Sequence, residues 1–419
     1  MGQSLIEKII EKHTTEDVAP GKIIWLELDV RSARDFGGAN VVQHLDKYYP
    51  SEAKVQDPQK TFFTFDCNPG GVTIDYAKNQ QICREFAKRE GIKVFDIDQG
   101  IGSHLMIDAG IAVPGTTVVG TDSHLNIMGA IGAFGQGMGD QDIAFAWKTG
   151  KTWFEVPYSI KVIFEGNPFM NGVISAKDLT LAALQHFGSS GLLGLSAEFY
   201  GSAIENLSLD GRITLASQVT EMGGIIGLIS PNDTIIDYSR SRSGDFNLSE
   251  LLADEDAQYL QTEVIDLTNL EPLIACPPSP ANVKTVSEVS GKEVHSVFIG
   301  SCTNGRYEDI RVATDILRGE LIAPNIVCKL VPATREIWSR CLKEGLIEDL
   351  YDAGVLIGNT GCAGCAQGQI GMTGVGEVAI STGNRNFPGK QGAGDMYLAS
   401  PATAAAAALI GEIIDPREI

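Results

Sequence analysis

The sequence predicts an α/β protein of mainly parallel sheets flanked by helices and divided into three domains. Three observations carry this expectation. Short hydrophobic runs, each followed by a loop rich in Gly, Asp, Ser or His, recur along the chain. Helical stretches separate them, which is the pattern of βα units in a parallel sheet. The chain has 419 residues, 43% hydrophobic and 20% charged, which is soluble-globular in composition and too long for one ordinary core.

Taken in order, Leu5, Ile6, Ile9 and Ile10 lie on one face of a short helix from Ser4 to Lys12. Ile23 to Leu28 reads as the first strand, ending at Asp29 and a polar loop through Gly37-Gly38. Thr61 to Phe65 is the next strand and runs into Asp66-Cys67-Asn68-Pro69. A helix follows over Ile74 to Glu90. Lys93 to Ile97 leads to a loop at Gly100-Ile101-Gly102-Ser103-His104, and Thr117 to Val119 to one at Gly120-Thr121-Asp122-Ser123-His124. Near Lys148 to Thr152 the character changes. Tyr158 to Phe164 alternates as a strand, Ala176 to Phe187 is helical, and Ile213 to Met222 is a helical run carrying Glu221. Pro272 to Pro280 holds four prolines and reads as a linker. Strand-then-loop segments return at 295–304, 354–365, 377–386 and 396–401. Ser400-Pro401 caps a helix of small residues that Gly411 ends. The expected domains are residues 1–154, 155–285 and 286–419.

The chain is organised around cysteines on two of these loops. Gly300-Ser301-Cys302-Thr303-Asn304 follows Val297-Phe298-Ile299, and Gly361-Cys362-Ala363-Gly364-Cys365 follows Val355-Leu356-Ile357. A C-x-x-C alone is compatible with a redox pair or half a zinc site. Three thiolates are one short of a closed four-ligand site, and a metal so held keeps an open position. Cys83, Cys276, Cys328 and Cys341 lie in helix-like or apolar contexts and read as reduced thiols, not a disulfide framework.

Composition excludes several classes. The net charge is −21, from 32 basic and 53 acidic residues, with no basic stripe for nucleic acid. No apolar stretch reaches the ~18 residues of a membrane span, and no secretory h-region opens the chain, so a cytoplasmic protein is expected. The same charge repels anionic substrates, so their binding would rest on local arginines and a metal.

The run Ser301-Cys302-Thr303-Asn304-Gly305-Arg306-Tyr307-Glu308-Asp309, the G-C-A-G-C at 361–365 and Gly383-Asn384-Arg385-Asn386-Phe387 closely resemble the aconitase family. The nearest likeness is to the separate large subunits of 3-isopropylmalate dehydratase and homoaconitase. The resemblance implies an aconitase-like core with a 4Fe–4S cluster at the domain interface, one per chain, on Cys302, Cys362 and Cys365, one iron lacking a protein ligand. It implies dehydration or isomerisation of a hydroxy di- or tricarboxylic acid, with leucine biosynthesis as one setting. Asp66, Cys67, His104, Asp122, Ser123, His124 and Glu221 fall on catalytic positions of the family. Arg385, Asn384 and Lys390 fall on substrate-binding positions. No domain bearing the family's serine base follows the alanine helix, so a separate small subunit carrying that swivelling domain is implied.

Read from the residues alone, Asp122-Ser123-His124 is a solvated loop before it is a triad fragment, because adjacent residues at a strand end rarely point at one another. An electron-transfer or non-catalytic iron–sulfur protein is the rival class, but it leaves Asp122 to His124 and Arg385 without a task. Some positions depart from the family. Cys67 stands where a histidine is usual, Lys390 where an arginine is, and Ser217 where an asparagine is. A common H-D/E-V-T motif reads Arg34-Asp35-Phe36-Gly37. These departures point to retained chemistry on a shifted substrate, with 2,3-dimethylmalate among the candidates.

Overall fold

The computed structural model describes residues 2–50, 54–69, 73–246, 251–365 and 369–419, the side chains of 170, 171 and 365 excepted. Three parallel or mostly parallel sheets carry the site. The first has five parallel strands in the order Lys93–Phe95, Thr61–Thr64, Val30–Arg34, Thr117–Gly120, Phe134–Gly137. Chain order reverses between Val30–Arg34 and Thr117–Gly120. Beyond the carboxyl ends of such neighbours an open α/β sheet leaves a crevice. Arg34 and the loop Thr121-Asp122 flank it.

The second sheet has four parallel strands, Ile226–Leu228, Ser196–Tyr200, Ser159–Glu165 and Thr262–Asp266. The third has seven, in the order Val283–Thr285, Leu273–Ala275, Asp395–Ala399, Val378–Ser381, Ser296–Ile299, Val327–Leu330, Leu356–Ile357, and its last five are parallel. Its order reverses between Ser296–Ile299 and Val378–Ser381. The Cys302 loop leaves one strand there and the Asn384-Arg385 loop leaves the other.

Several helices form where their punctuation says they should. Ile74–Glu90 begins under the Thr73 side chain, which accepts the Tyr76 N–H, and ends at Gly91 with φ 74°. Ala176–Phe187 has a Ser175/Asp178 capping box. Pro401–Ile410 is capped by Ser400, and its buried alanines let it lie close against the helix Tyr307–Leu317.

Other expectations need correction. Ile23–Glu27 does not join the parallel sheet. It pairs antiparallel with Lys151–Glu155, and its alternating exposure is that of a ribbon with one wet face. The polar loop expected after Asp29 holds the strand Val30–Arg34, central in its sheet, whose charged side chains are met by partners. Gly100 to His104 is not all loop, because Gly102–Asp108 is a helix with His104 on it. The helical run carrying Glu221 is two elements, an α-helix Leu209–Gln218 and a tighter turn Val219–Met222 that ends at Gly223. Pro272 to Pro280 is no bare linker, since Leu273–Ala275 pairs on both sides within the seven-stranded sheet.

The first and second sheets meet where the backbone has no room for a side chain. A Cβ on Gly129 would lie 1.9 Å from the Gly227 carbonyl oxygen, and Ile229 donates its N–H to Gly129 O at 3.0 Å. The first and third are joined by Ile101 N to Ala333 O and Arg335 N to Gln99 O, at 2.8 and 2.9 Å. These backbone bonds face the two crevices toward each other.

Candidate active site

Cys302 and Cys362 line one cavity of about 700 Å³ between the sheets. Each has a chain neighbour on backbone that ordinary residues avoid. Ser301 has φ 79° and Ala363 φ 48°, conformations that cost about 1–3 kcal/mol each unless the surroundings impose them. Around Ser301 the surroundings do. Thr382 Oγ1 accepts the Gly300 N–H, Ser301 Oγ accepts the Thr303 N–H, and Thr214 Oγ1 donates to Thr303 O. Cys362 donates its N–H to Asp66 O at 2.9 Å, which ties its loop to the first sheet. Cys365 ends the short turn Ala363–Cys365, and its side chain lies outside the described residues.

His104 is fully buried behind the Cys302 loop and is not part of the cavity wall. Its Nε2 lies 3.0 Å from Cys302 O, and its Nδ1 accepts from Arg306 Nη1 at 3.2 Å. The two partners select the tautomer with the proton on Nε2. Burial, with Arg306 adding to it, pushes the imidazole down to about 4, so it is neutral at working pH. His104 therefore holds a backbone carbonyl beside the cysteine. Arg306 is paired in turn with Asp108 and Asp210.

Asp122, Ser123 and His124 all reach the cavity wall, but they form no triad. Asp122 Oδ1 accepts the backbone N–H of His124 at 3.0 Å, while the ring Nε2 meets Glu221 Oε1 at 3.0 Å. Ser123 Oγ lies 3.3 Å from His124 Nδ1. Glu221 Oε1 also accepts from Arg385 Nε at 2.6 Å. Against the burial that would raise it, bonds from His124 and Arg385 hold the Glu221 carboxyl below its usual range. Arg385, Asn384 and Lys390 line the same cavity, and the Cys302 thiol faces Asn384 Oδ1 at 3.5 Å.

The residue that sequence reasoning did not place among its candidates is Arg34. Its Nε donates to Asp66 Oδ1 at 2.7 Å, its Nη1 to Asp122 Oδ1 at 3.2 Å, and its Nη2 to Cys362 Sγ at 2.7 Å. Asp66 is buried, takes the Gly102 N–H on its other oxygen, and is pushed up to about 6 by that burial even beside Arg34. Cys67 lines the cavity, and burial pushes its thiol well above the ordinary range. Asp35 holds the Cys67 loop by accepting N–H groups from Cys67, Asn68 and Gln80. Asp35, Asp66 and Cys67 lie close enough to suggest a cation, but N–H donors already occupy both carboxylates. The signal for Arg34 was positional: it ends a strand, and Asp66 and Asp122 each come two residues after the end of a neighbouring strand.

The aconitase family model, described as aconitate hydratase, matches residues 7–293 and 284–411. The chain belongs to the aconitase family. A 3-isopropylmalate dehydratase large subunit from Sulfurihydrogenibium is 40% identical, covering 100% of this chain and 97% of that one. Large subunits of the same name from Archaeoglobus fulgidus and Methanopyrus kandleri are each 38% identical, with 99–100% of either chain covered. Among solved structures, Thermococcus kodakaraensis aconitase X shares the fold with a TM-score of 0.51 at 14% identity, over 86% of this chain and 84% of that one. This aconitase-family chain is accordingly a hydro-lyase. Membership implies an iron–sulfur cluster, and the cavity's donors fit one. They are two buried thiols on loops that follow strands of the third sheet, an Arg34 N–H on one sulfur, and an Asn384 Nδ2 buried at the cavity wall without a hydrogen-bond partner among the described residues. No helix among the described residues is long and apolar enough to cross a membrane.

Proposed function

We propose that the chain is the large subunit of a hydro-lyase that dehydrates or isomerises a hydroxy di- or tricarboxylic acid, with 3-isopropylmalate as the leading substrate. Cys302, Cys362 and Cys365 hold a 4Fe–4S cluster with one iron free of protein ligands. When bound, the cluster supplies a Lewis acid for the departing hydroxyl. The observation that carries this reading is the convergence of Cys302 and Cys362 with Arg34, Arg385 and Lys390 on one cavity, in a chain matched end to end by relatives named for that activity.

The chain's own groups divide the remaining work. Arg385 and Lys390 bind substrate carboxylates. Glu221 grips Nε of Arg385 and leaves its terminal nitrogens for a bidentate partner. His124 shares that glutamate and is oriented by it. Asp122 and Ser123 shape the wall beside it, and Asn384 presents its amide where it meets Cys302. Cys67 is kept neutral by burial and serves as the proton donor to the leaving oxygen. The proton abstracted from carbon goes to a serine on a separate small subunit, the partner that the relatives' names as large subunits suggest.

Anaerobic reconstitution tests the cluster and turnover tests the substrate. Expected are about four irons per chain, lost when Cys302, Cys362 or Cys365 becomes Ser. With the cognate small subunit, turnover is expected on 3-isopropylmalate ahead of homocitrate, homoisocitrate and 2,3-dimethylmalate. Cluster retention in all three serine variants sinks the ligand assignment, and preference for another acid on the panel replaces the substrate.

A further inference from the structure

Arg34 joins the two crevices. It ends the strand Val30–Arg34 of the five-stranded sheet, yet one of its nitrogens touches a cysteine that follows the last strand of the seven-stranded sheet. A guanidinium has five N–H donors in a rigid planar fork. Here the fork meets three acceptors on three separate loops: Asp66 Oδ1, Asp122 Oδ1 and Cys362 Sγ. Each carboxylate is itself pinned by backbone, Asp66 by Gly102 N–H at 2.7 Å and Asp122 by His124 N–H at 3.0 Å. The arginine is thus held from two sides, and only 13% of its side chain is exposed. Its third contact has little freedom left, so the sulfur is located by the fork and not the reverse.

We propose that Arg34 is a positioning residue that holds the Cys362 sulfur against the Asp66–Asp122 pair through Nη2. This rests on the reading of Cys302, Cys362 and Cys365 as cluster ligands. An N–H donor on a ligating sulfur stabilises the more negative, reduced state of a cluster, because hydrogen bonds to the sulfurs are among the factors that set its potential. Arg34 thereby tunes the cluster as well as placing its ligand. A lysine keeps the charge but lacks the rigid fork whose three separate nitrogens meet these acceptors.

The test compares wild type, Arg34→Lys and Arg34→Gln after anaerobic reconstitution. Iron content, the paramagnetic-resonance spectrum of the reduced cluster, its reduction midpoint and the rate of cluster loss in air are measured. Wild type is expected to hold about four irons. Both variants should show an altered spectrum, a more negative midpoint and several-fold faster loss in air, Arg34→Lys falling between wild type and Arg34→Gln. Arg34→Gln leaves Asp66 and Asp122 facing without a cation, so if it fails to fold, Arg34→Lys alone decides. Clusters with wild-type spectrum, midpoint and air stability in the folded variants overturn the role of Arg34 while leaving the cluster reading intact. A wild-type chain that binds no iron overturns both.

Discussion

Replacing Glu221 by Gln isolates one charge behind the cavity wall, where it holds Arg385 and His124. Its Oε1 takes Arg385 Nε at 2.6 Å and His124 Nε2 at 3.0 Å, and 9% of the side chain is exposed. Gln preserves the shape and one acceptor oxygen but not the charge. Hydrogen bonds to charged groups contribute about 1.5–3 kcal/mol each and neutral ones about 0.5–1.5, so each bond loses roughly 1–1.5 kcal/mol. Arg385 is 20% exposed, so water recovers part of its share, and about 2 kcal/mol remains as the expected destabilisation. Glu221→Ala should cost more, about 3–5 kcal/mol, because it strands a mostly buried guanidinium. Urea unfolding of the purified chain measures both, and a cycle with Arg385→Met should return a coupling of about 1.5–2 kcal/mol. A Glu221→Gln midpoint equal to wild type, or a cycle additive within about 0.5 kcal/mol, would refute the reasoning.

Three further outcomes follow from other parts of the molecule. His13 places Nδ1 2.7 Å from Ile9 O and Nε2 2.7 Å from Asp29 Oδ2, two acceptors that call for both protons, and despite burial its pKa is raised. That stability is full below about pH 6.5 and lost as pH rises through the raised folded value, so melting scans of His13→Asn should approach wild type as pH rises above it; a gap independent of pH contradicts it. Gly129→Ala drives a methyl into the Gly227 carbonyl and should destabilise by at least about 1–3 kcal/mol; an unchanged unfolding midpoint would show that the contact between the first two sheets is loose. Cys67→Ala should slow turnover by about 10²–10⁴-fold if the thiol is the proton donor, whereas normal turnover with an intact cluster assigns Cys67 to packing.

What could be read from the sequence depended on whether the signal was local. The helices Ile74–Glu90 and Ala176–Phe187 are announced by their own caps and stops, and the cysteine loops by apolar strands directly before them. Val30–Arg34 was illegible for the opposite reason. A strand with two arginines in five residues looks polar, and the groups that make it tolerable are far along the chain. Arg31 bonds Gln56, and Arg34 bonds Asp66 and Asp122. Hydrophobic periodicity assumes that buried means apolar, and it fails where buried charges find hydrogen-bond or ion-pair partners. His104 illustrates the limit for the site. Its motif position could be read, but its contact with Cys302 O depends on the helix Gly102–Asp108 packing behind a strand that begins almost two hundred residues later.

The acidic surplus of the chain and its anionic substrate class are reconciled by how the cavity is wired. A net charge of −21 opposes an approaching carboxylate at long range. Around the cavity, however, three nearby carboxylates are taken up by cations. Asp66 and Asp122 face Arg34, and Glu221 faces Arg385 and His124. Each acid neutralises part of a cation while fixing its direction. The fork geometry of Arg385 survives because Glu221 engages only Nε. Short-range attraction therefore depends on orientation more than on total charge, and orientation is set by strand ends from separate sheets. This explains why the cysteines, the arginines and the histidine come from loops scattered over the whole chain. Loops leaving the first and third sheets together put carboxylate-pinned cations and thiols onto one wall.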